Sequence, residues 1–170
     1  ISFLLESALD DEKDNDLSKI FNNLNTYISF KINKTFLDKQ SFVNNLNGSL
    51  TFKNNKISKL NLESEFPNKN RLTLSIHTND RGEKITTLFS DYPKPLVKRY
   101  KFIKGFDEGI LNFQSIKKNN KSKSVLVIDN FKVKEVPVLA KLLTLASLQG
   151  IADLLTGEGI RFTDFEMNFS

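Results

Sequence analysis

The chain has 170 residues, 39% of them hydrophobic, with 15 phenylalanines, no cysteine and a formal net charge of +5. This length fits a single domain that can bury most of its unfolded surface, and the lack of cysteine excludes disulfides and thiol chemistry. No apolar run reaches the ~18 residues that indicate a membrane-spanning helix.

The charge is unevenly distributed along the chain. Residues 1–16 hold six acidic residues against Lys13, whereas residues 94–123 hold nine Lys or Arg against Asp107 and Glu108. A basic stretch of this kind favours anionic partners such as lipid headgroups or nucleic acid, although a solvated lysine-rich face has the same composition. Because the chain opens at Ile1 without a basic leader, we expect a piece of a longer protein.

The first predicted element is a short helix over residues 14–25. Leu17, Ile20, Phe21 and Leu24 recur at helical spacing, and an aspartate precedes them as a capping residue.

From residue 28 onward the apolar period changes from helical to two. Alternating apolar residues lie at Ile28, Phe30 and Ile32, at Leu50 and Phe52, at Leu60, Leu62 and Phe66, at Leu72, Leu74 and Ile76, and at Ile85 and Phe89. Asn- and Gly-rich turns separate these runs every ten to fourteen residues. The pattern predicts an antiparallel meander with one apolar face and one face of Lys, Asn, Ser and Thr.

The middle of the chain interrupts this alternation. Prolines at 93 and 95 end the preceding strand, and a short helix is predicted over residues 92–104, with Gly105 at its end. Asp107-Glu108-Gly109 is predicted to be a turn before a strand with Ile110, Leu111 and Phe113, and residues 117–123 a polar hairpin tip. The next strand, Val125–Val133, is apolar at both parities, so both of its faces should be covered.

The closing region begins with Pro137, which suits the first turn of a helix. Helical structure is predicted over residues 137–156, followed by a strand-like run from Ile160. Its apolar positions are Leu139, Leu142, Leu143, Ile151, Leu154 and Leu155. These helices are interpreted either as a hairpin covering the end of a sheet or as an interfacial, groove-capping pair. The predicted fold is therefore β-rich α+β, a curved antiparallel β-meander with short helices covering one end or face.

The sequence offers no pattern typical of catalysis. His77 is the only histidine and has the parity of the polar face, so a histidine-based metal cluster or catalytic triad has no basis. Gly157-Glu158-Gly159 lacks the third glycine of a dinucleotide loop. We predict a non-enzymatic protein with no catalytic residue, metal or cofactor.

Residues 125–170 resemble a known family. The order of a strand, Pro137, Leu139-Ala140, Leu142-Leu143, then Ala146-Ser147-Leu148, Gly150-Ile151, Leu154-Leu155 and Gly159-Ile160 is similar to the AsmA-like C-terminal region of YhdP- and TamB-related envelope proteins. The chain departs from that pattern at Val136, where the family has an acidic residue or alanine. It also has Tyr92-Pro93 where a helix start is expected.

The resemblance implies a single AsmA-like C-terminal-type domain over residues 1–170. It implies a periplasmic location in a Gram-negative cell, with attachment to the inner membrane through a segment outside this chain. It also implies an apolar β-groove for phospholipid acyl chains moving between the inner and outer membranes. The candidate groove residues are Leu50, Phe52, Leu60, Leu62, Leu72, Leu74 and Ile76.

Two other functions stay open. The same seven residues are equally interpretable as ordinary core, because alternation does not reveal what covers a face. A scaffold for envelope assembly that carries no lipid is therefore the main alternative. A nucleic-acid-binding module is a third hypothesis that rests on charge alone, and we predict no nucleic-acid partner.

Overall fold

A computed structural model describes residues 25–53, 56–99, 103–134 and 159–170. Within these residues the chain forms one eight-stranded antiparallel sheet in which each strand pairs with the next along the chain. The sheet is open and curved. The strands are β1 (Thr26–Phe36), β2 (Phe42–Lys53), β3 (Lys56–Glu65), β4 (Arg71–Thr78), β5 (Lys84–Ser90), β6 (Phe106–Lys118), β7 (Lys121–Val133) and β8 (Ile160–Phe169). The predicted curved antiparallel meander is confirmed.

Strand alternation divides the sheet into two faces. In β4, Leu72, Leu74 and Ile76 are buried while the residues between them are less buried. We call the face that carries these three residues the inner face and the opposite one the outer face. The β-branched and aromatic residues of this period-two pattern suit a pleated surface that is buried on one side.

Short polar turns connect several of the described strands. Asn119 and Asn120 form the two-residue connection of the β6–β7 hairpin, and Asn119 has a positive φ of 54°, as tight hairpin turns require. In the longer β4–β5 connection, Asn79 Oδ1 accepts hydrogen bonds from the backbone N–H groups of Arg81 and Glu83 at 3.0 and 2.9 Å. In this connection a side-chain oxygen thus accepts hydrogen bonds from backbone N–H groups that have no partner on a neighbouring strand.

Bulges accompany the curvature of the sheet. The β2–β3 register shifts next to Asn45, which has a φ of 52°. Such a shift bends a strand and increases its twist. The β6–β7 pair has a different irregularity. Gly109 and Asn130 both have positive φ, 90° and 50°, and both are left out of the ladder between Ile110–Asp129 and Glu108–Phe131, so the register does not shift. Asp107-Glu108-Gly109 was therefore wrongly predicted as a turn, because these residues lie inside β6.

The middle helix is present but shorter than predicted. Helix α1 spans Lys94–Arg99, and described residues 103–105 form a turn rather than the end of the predicted 92–104 helix. Leu96 of α1 packs with Val43 and Leu72 of the sheet and with Phe66, which follows β3, while Val97 joins a second cluster around Phe106. The helix therefore packs against the end of the sheet at which β6 begins, which we call the helix end.

The other two predicted helices involve residues that the structure does not describe. The 137–156 helices, with Leu139, Leu142, Leu143, Ile151, Leu154 and Leu155, lie outside the described residues. So does the 14–25 helix, apart from Asn25, which precedes β1.

The two faces of β7 differ in burial. On β7 the inner-face residues Ser124 and Ile128 are buried, whereas Val125 and Val127 on the outer face are only half-buried.

Gly109 and Gly82 provide a matched test of the backbone irregularity in β6. Both have positive φ, 90° and 71°, but a Cβ on Gly109 would lie 2.9 Å from Phe131 Cβ, whereas nothing lies within 4 Å of one on Gly82. We expect Gly109→Ala to lower the free energy of unfolding by about 3 kcal/mol, from backbone strain plus overpacking. Gly82→Ala should cost about 1 kcal/mol, from strain alone. Urea unfolding measures both, and equal costs would contradict the tight contact at Gly109.

Candidate functional site

Strand register aligns the apolar residues of the inner face in rows. One row begins with Phe30 on β1, opposite Gly48, and continues through Leu62, Leu74, Leu88, Phe113, Leu126 and Met167 to the other edge. We call it the apolar row. The Phe30 ring occupies the space that a side chain at Gly48 would need, 2.2 Å from the position of its Cβ. The row therefore crosses all eight strands without a polar side chain.

All seven sequence-predicted groove residues lie on this inner face and are buried. Six of them form one cluster, and Leu72 packs in a neighbouring one beside α1. Leu60 and Ile76 are 0% exposed. In this structure, therefore, the middle of the inner face around β3 and β4 is a packed core.

The side chains of the inner face become more exposed toward both edges of the sheet. On β1, Ile32 pairs with buried Leu46 and is 43% exposed. At the other edge, Phe162 on β8 stacks on buried Phe131 with ring centroids 5.2 Å apart, yet is 37% exposed. Phe169 is 45% exposed and stacks on Phe113 at 6.2 Å. The apolar surface is thus continuous from a buried middle to partly exposed edges.

A second row of inner-face residues is apolar on some strands and polar on others. On β2 to β4 it consists of Leu50, Leu60 and Ile76, but on β5 to β7 the residues in register are Thr86, Ser115 and Ser124. We call these three residues the hydroxyl row. All three are buried, and Ser124 Oγ donates to Ser115 Oγ at 2.9 Å. Sequence reasoning followed the apolar residues and missed this row, although Ser115 and Ser124 have the inner-face parity of Phe113 and Leu126.

A small apolar cavity lies on the inner face near the helix end. Seven leucines and Ser64 line its volume of about 20 Å³, with Leu96 of α1 and Leu37 of the β1–β2 turn among them. Arg99 Nη1 donates to the Leu37 carbonyl, and Lys98 Nζ donates to Gln40 Oε1 at 3.1 Å. A volume of this size is close to that of one water-sized probe, so an acyl chain would need these contacts to open.

Two carboxylates at the helix end each bind two cations. Asp107 contacts Lys94 Nζ and Lys134 Nζ, both at 2.8 Å, and their hydrogen bonds, that of Lys134 foremost, lower the pKa of Asp107 to about 2. Glu108 contacts Arg161 at 2.7 Å and Lys132 at 3.1 Å, and hydrogen bonds from Arg161 and then Lys132 lower its pKa. These carboxylates are therefore held ionised and link α1, β6, β7 and β8. Such fixed ion pairs suit a structural role rather than proton transfer near neutral pH.

The described residues give little basis for metal chemistry. In the ranges that the structure covers, no group of three or more His, Asp or Glu side chains is placed to hold a metal ion. His77 is exposed and pairs with Ile85 on the outer face, as its parity predicted.

No described helix has the length and apolar character needed to cross a bilayer. Comparison with family models, curated proteins and solved structures finds no match to this chain.

The contrast between the middle and the edge of the inner face can be tested by truncation. Leu60→Ala removes a fully buried side chain, so we expect the free energy of unfolding to fall by about 3 kcal/mol. Ile32→Ala, on the same face at the edge, should cost less than about 1 kcal/mol, because the side chain is already 43% exposed. Urea unfolding measures both. Similar costs would contradict a packed middle with an open edge.

The Asp107 ion pairs predict a pH-dependent contribution to stability. Since the pKa of Asp107 falls from 3.8 to about 2 on folding, the stabilisation is present above pH 3.8 and is lost as pH falls through about 2. We expect Asp107→Asn to cost about 1–2 kcal/mol near neutral pH, discounted because both lysines are about half exposed. The cost should shrink between pH 3.8 and about 2. Asp164→Asn, on the exposed edge strand β8, is the control for the change in charge; the same pH profile there would contradict the assignment.

Proposed function

We propose that this domain is a non-enzymatic lipid-handling module whose inner face accommodates phospholipid acyl chains. The observation that carries the proposal is the apolar row, which crosses all eight strands. At about 4.8 Å between strands the row is roughly 34 Å long. One acyl chain spans about half of the ~30 Å hydrocarbon core of a bilayer, so the row is long enough to contact a chain along its whole length.

The energetics favour an acyl chain over a polar ligand on this row. Each methylene removed from water contributes about 0.8 kcal/mol, and the contact needs no directional partner. Phe113 and Leu126 are half-buried, and Ile32, Phe162 and Phe169 are exposed by 37–45%. These edge residues supply the accessible apolar surface, whereas the packed middle would have to separate for a chain to pass along the complete row.

The cellular setting of the proposal comes from the AsmA-like resemblance of residues 125–170. On that basis the domain belongs to a periplasmic protein that is attached to the inner membrane through a segment outside this chain. It would contribute part of a route for phospholipids between the two membranes of a Gram-negative cell.

A structural scaffold is the second candidate function. It is favoured by Leu60 and Ile76, which are completely buried in the middle of the inner face and leave no room there for a ligand. In this alternative the inner face is only the core of the domain, and the ion pairs of Asp107 and Glu108 fix its shape.

Site-specific photo-crosslinking separates the two functions. A diazirine side chain placed at Leu126 lies on the inner face, whereas the same group at Val125 lies on the outer face of the same strand. The protein is isolated after illumination of Gram-negative cells, and attached phospholipid is detected by mass spectrometry. We expect a phospholipid adduct at Leu126 and none at Val125, because only the inner face would contact acyl chains.

Phe113 and Asn112 on β6 provide a second pair with the same geometry. Both members of each pair are on one strand, so a difference within a pair is not explained by loss of the fold. Absence of adducts at both Leu126 and Phe113, or equal labelling within both pairs, would overturn the acyl-chain proposal and favour the scaffold.

A further inference from the structure

The end of the sheet opposite α1 concentrates positive charge. It is formed by the β4–β5 and β6–β7 turns and the strand residues beside them, and we call it the basic end. Its cations are Arg81, Lys84, Lys117, Lys118, Lys121 and Lys123, and the acidic residues of these turns are Asp80 and Glu83. The basic end therefore carries a clear excess of positive charge.

Strand register places several of these lysines directly opposite one another. Lys84 pairs with Lys117, and Lys118 pairs with Lys121 on the two sides of the Asn119-Asn120 turn. Like charges directly opposite across an antiparallel pair are destabilising. These facing lysines therefore concentrate positive charge at the basic end without stabilising the ladder.

At the helix end, two carboxylates hold four of the cations. There Lys94 and Lys134 bind Asp107, while Lys132 and Arg161 bind Glu108. At the basic end, Lys118 contacts Glu83 at 3.7 Å, and Lys84 and Lys117 each already make an interaction. Arg81, Lys121 and Lys123 are exposed. The inference rests on these three.

Apolar side chains are exposed among the cations of the basic end. Ile116 pairs directly with Lys123 and is 39% exposed, and Phe169, opposite Ser124, is 45% exposed. Aliphatic and aromatic side chains beside lysines are typical of surfaces that lie in the headgroup region of a bilayer, where the charge meets phosphate and the apolar groups meet the acyl boundary. Nucleic acid would use the lysines but leave the aliphatic group without a partner.

We propose that the basic end docks on a membrane surface that contains anionic phospholipids. The surface consists of Arg81, Lys121 and Lys123 with Ile116 and Phe169. This deepens the proposed function by placing a membrane at the end of the inner face where the hydroxyl row lies. It rests on that function only for its biological role, because membrane docking is measured without any acyl chain on the inner face.

Vesicle co-sedimentation of the complete chain tests the docking surface. Vesicles of phosphatidylcholine alone are compared with vesicles of phosphatidylcholine mixed with phosphatidylglycerol. We expect binding only to the anionic vesicles, with weakening as salt is raised, because the lysines contribute through screened electrostatic attraction. The double variant Lys121→Gln/Lys123→Gln should weaken this binding about thirtyfold, since each lysine near an anionic surface contributes about 1 kcal/mol.

The matched control is Lys39→Gln/Lys104→Gln, which removes the same charge from exposed positions at the helix end. It should retain binding within about threefold, because those lysines would lie far from the membrane relative to the screening length. Circular dichroism and urea unfolding check that both variants fold. The thirtyfold loss in a folded variant together with a retained control supports the proposal.

Three outcomes would overturn it. The first is equal binding to neutral and anionic vesicles, and the second is equal loss in the two double variants. The third is binding of a single-stranded oligonucleotide that is tighter than binding to anionic vesicles, which would assign the basic end to nucleic acid. Negative crosslinking results at both Leu126 and Phe113 with normal vesicle binding would remove the acyl-chain function and leave the membrane-docking surface standing.

Discussion

The register of the antiparallel ladder is the constraint on which the inner face depends. Each of the seven strand pairs contributes one step of the apolar row, from Phe30 on β1 to Met167 on β8. A slip of one residue in any pair would turn the following strand over and place its lysines and asparagines against Leu62 and Leu74. Burial of the middle of this face therefore favours this register over its alternatives, and the short hairpin turns allow neighbouring strands to pair in it.

The backbone irregularity at Glu108 and Gly109 and the ion pairs beside it adapt this regular ladder to α1. The positive φ values of Glu108 and Gly109 change the direction of the strand, so that Phe106 and Phe131 stack on the inner side, 5.4 Å apart. Glu108 contacts Lys132 and Arg161 on the neighbouring strands, while Asp107 binds Lys94 of α1. A local backbone irregularity thus brings two charged clusters and one aromatic stack to the same corner.

Sequence patterns predicted the strands well where one face is consistently apolar. β3 and β4 follow strict alternation, and the residues predicted to share a face, such as Leu60, Leu74 and Ile76, do share it. In β5 the prediction was wrong, because Ile85 and Phe89 lie on the outer face while Thr86 and Leu88 occupy the inner face. The irregularity at Gly109 was missed because a Gly after two acidic residues looks the same whether it ends a turn or lies within a strand. The length of α1 was overestimated because apolar spacing marks a helix but not its last turn.

The candidate site was less predictable for a different reason. Alternation identifies which residues share a face, but burial and exposure along that face depend on curvature and neighbours that a sequence pattern does not contain. Leu60 at 0% and Ile32 at 43% exposure have the same local pattern. Likewise, Ser115 and Ser124 are ordinary strand residues in sequence and become a buried hydroxyl pair only through register.

The hydroxyl row is the feature that a plain core explains least. Serine and threonine side chains buried on an apolar face add little net stability, and apolar residues of similar shape in place of a hydrogen-bonded pair are often neutral or stabilising. Thr86, Ser115 and Ser124 lie on the strands that run into the basic end, next to the inner-face lysines Lys84 and Lys117. A polar headgroup is the part of a phospholipid that would use hydroxyls and cations together, and its acyl chains would then extend over Phe113 and Leu126. In the proposed function the inner face is therefore amphipathic along β5, β6 and β7, with the polar part at the membrane and the apolar part away from it.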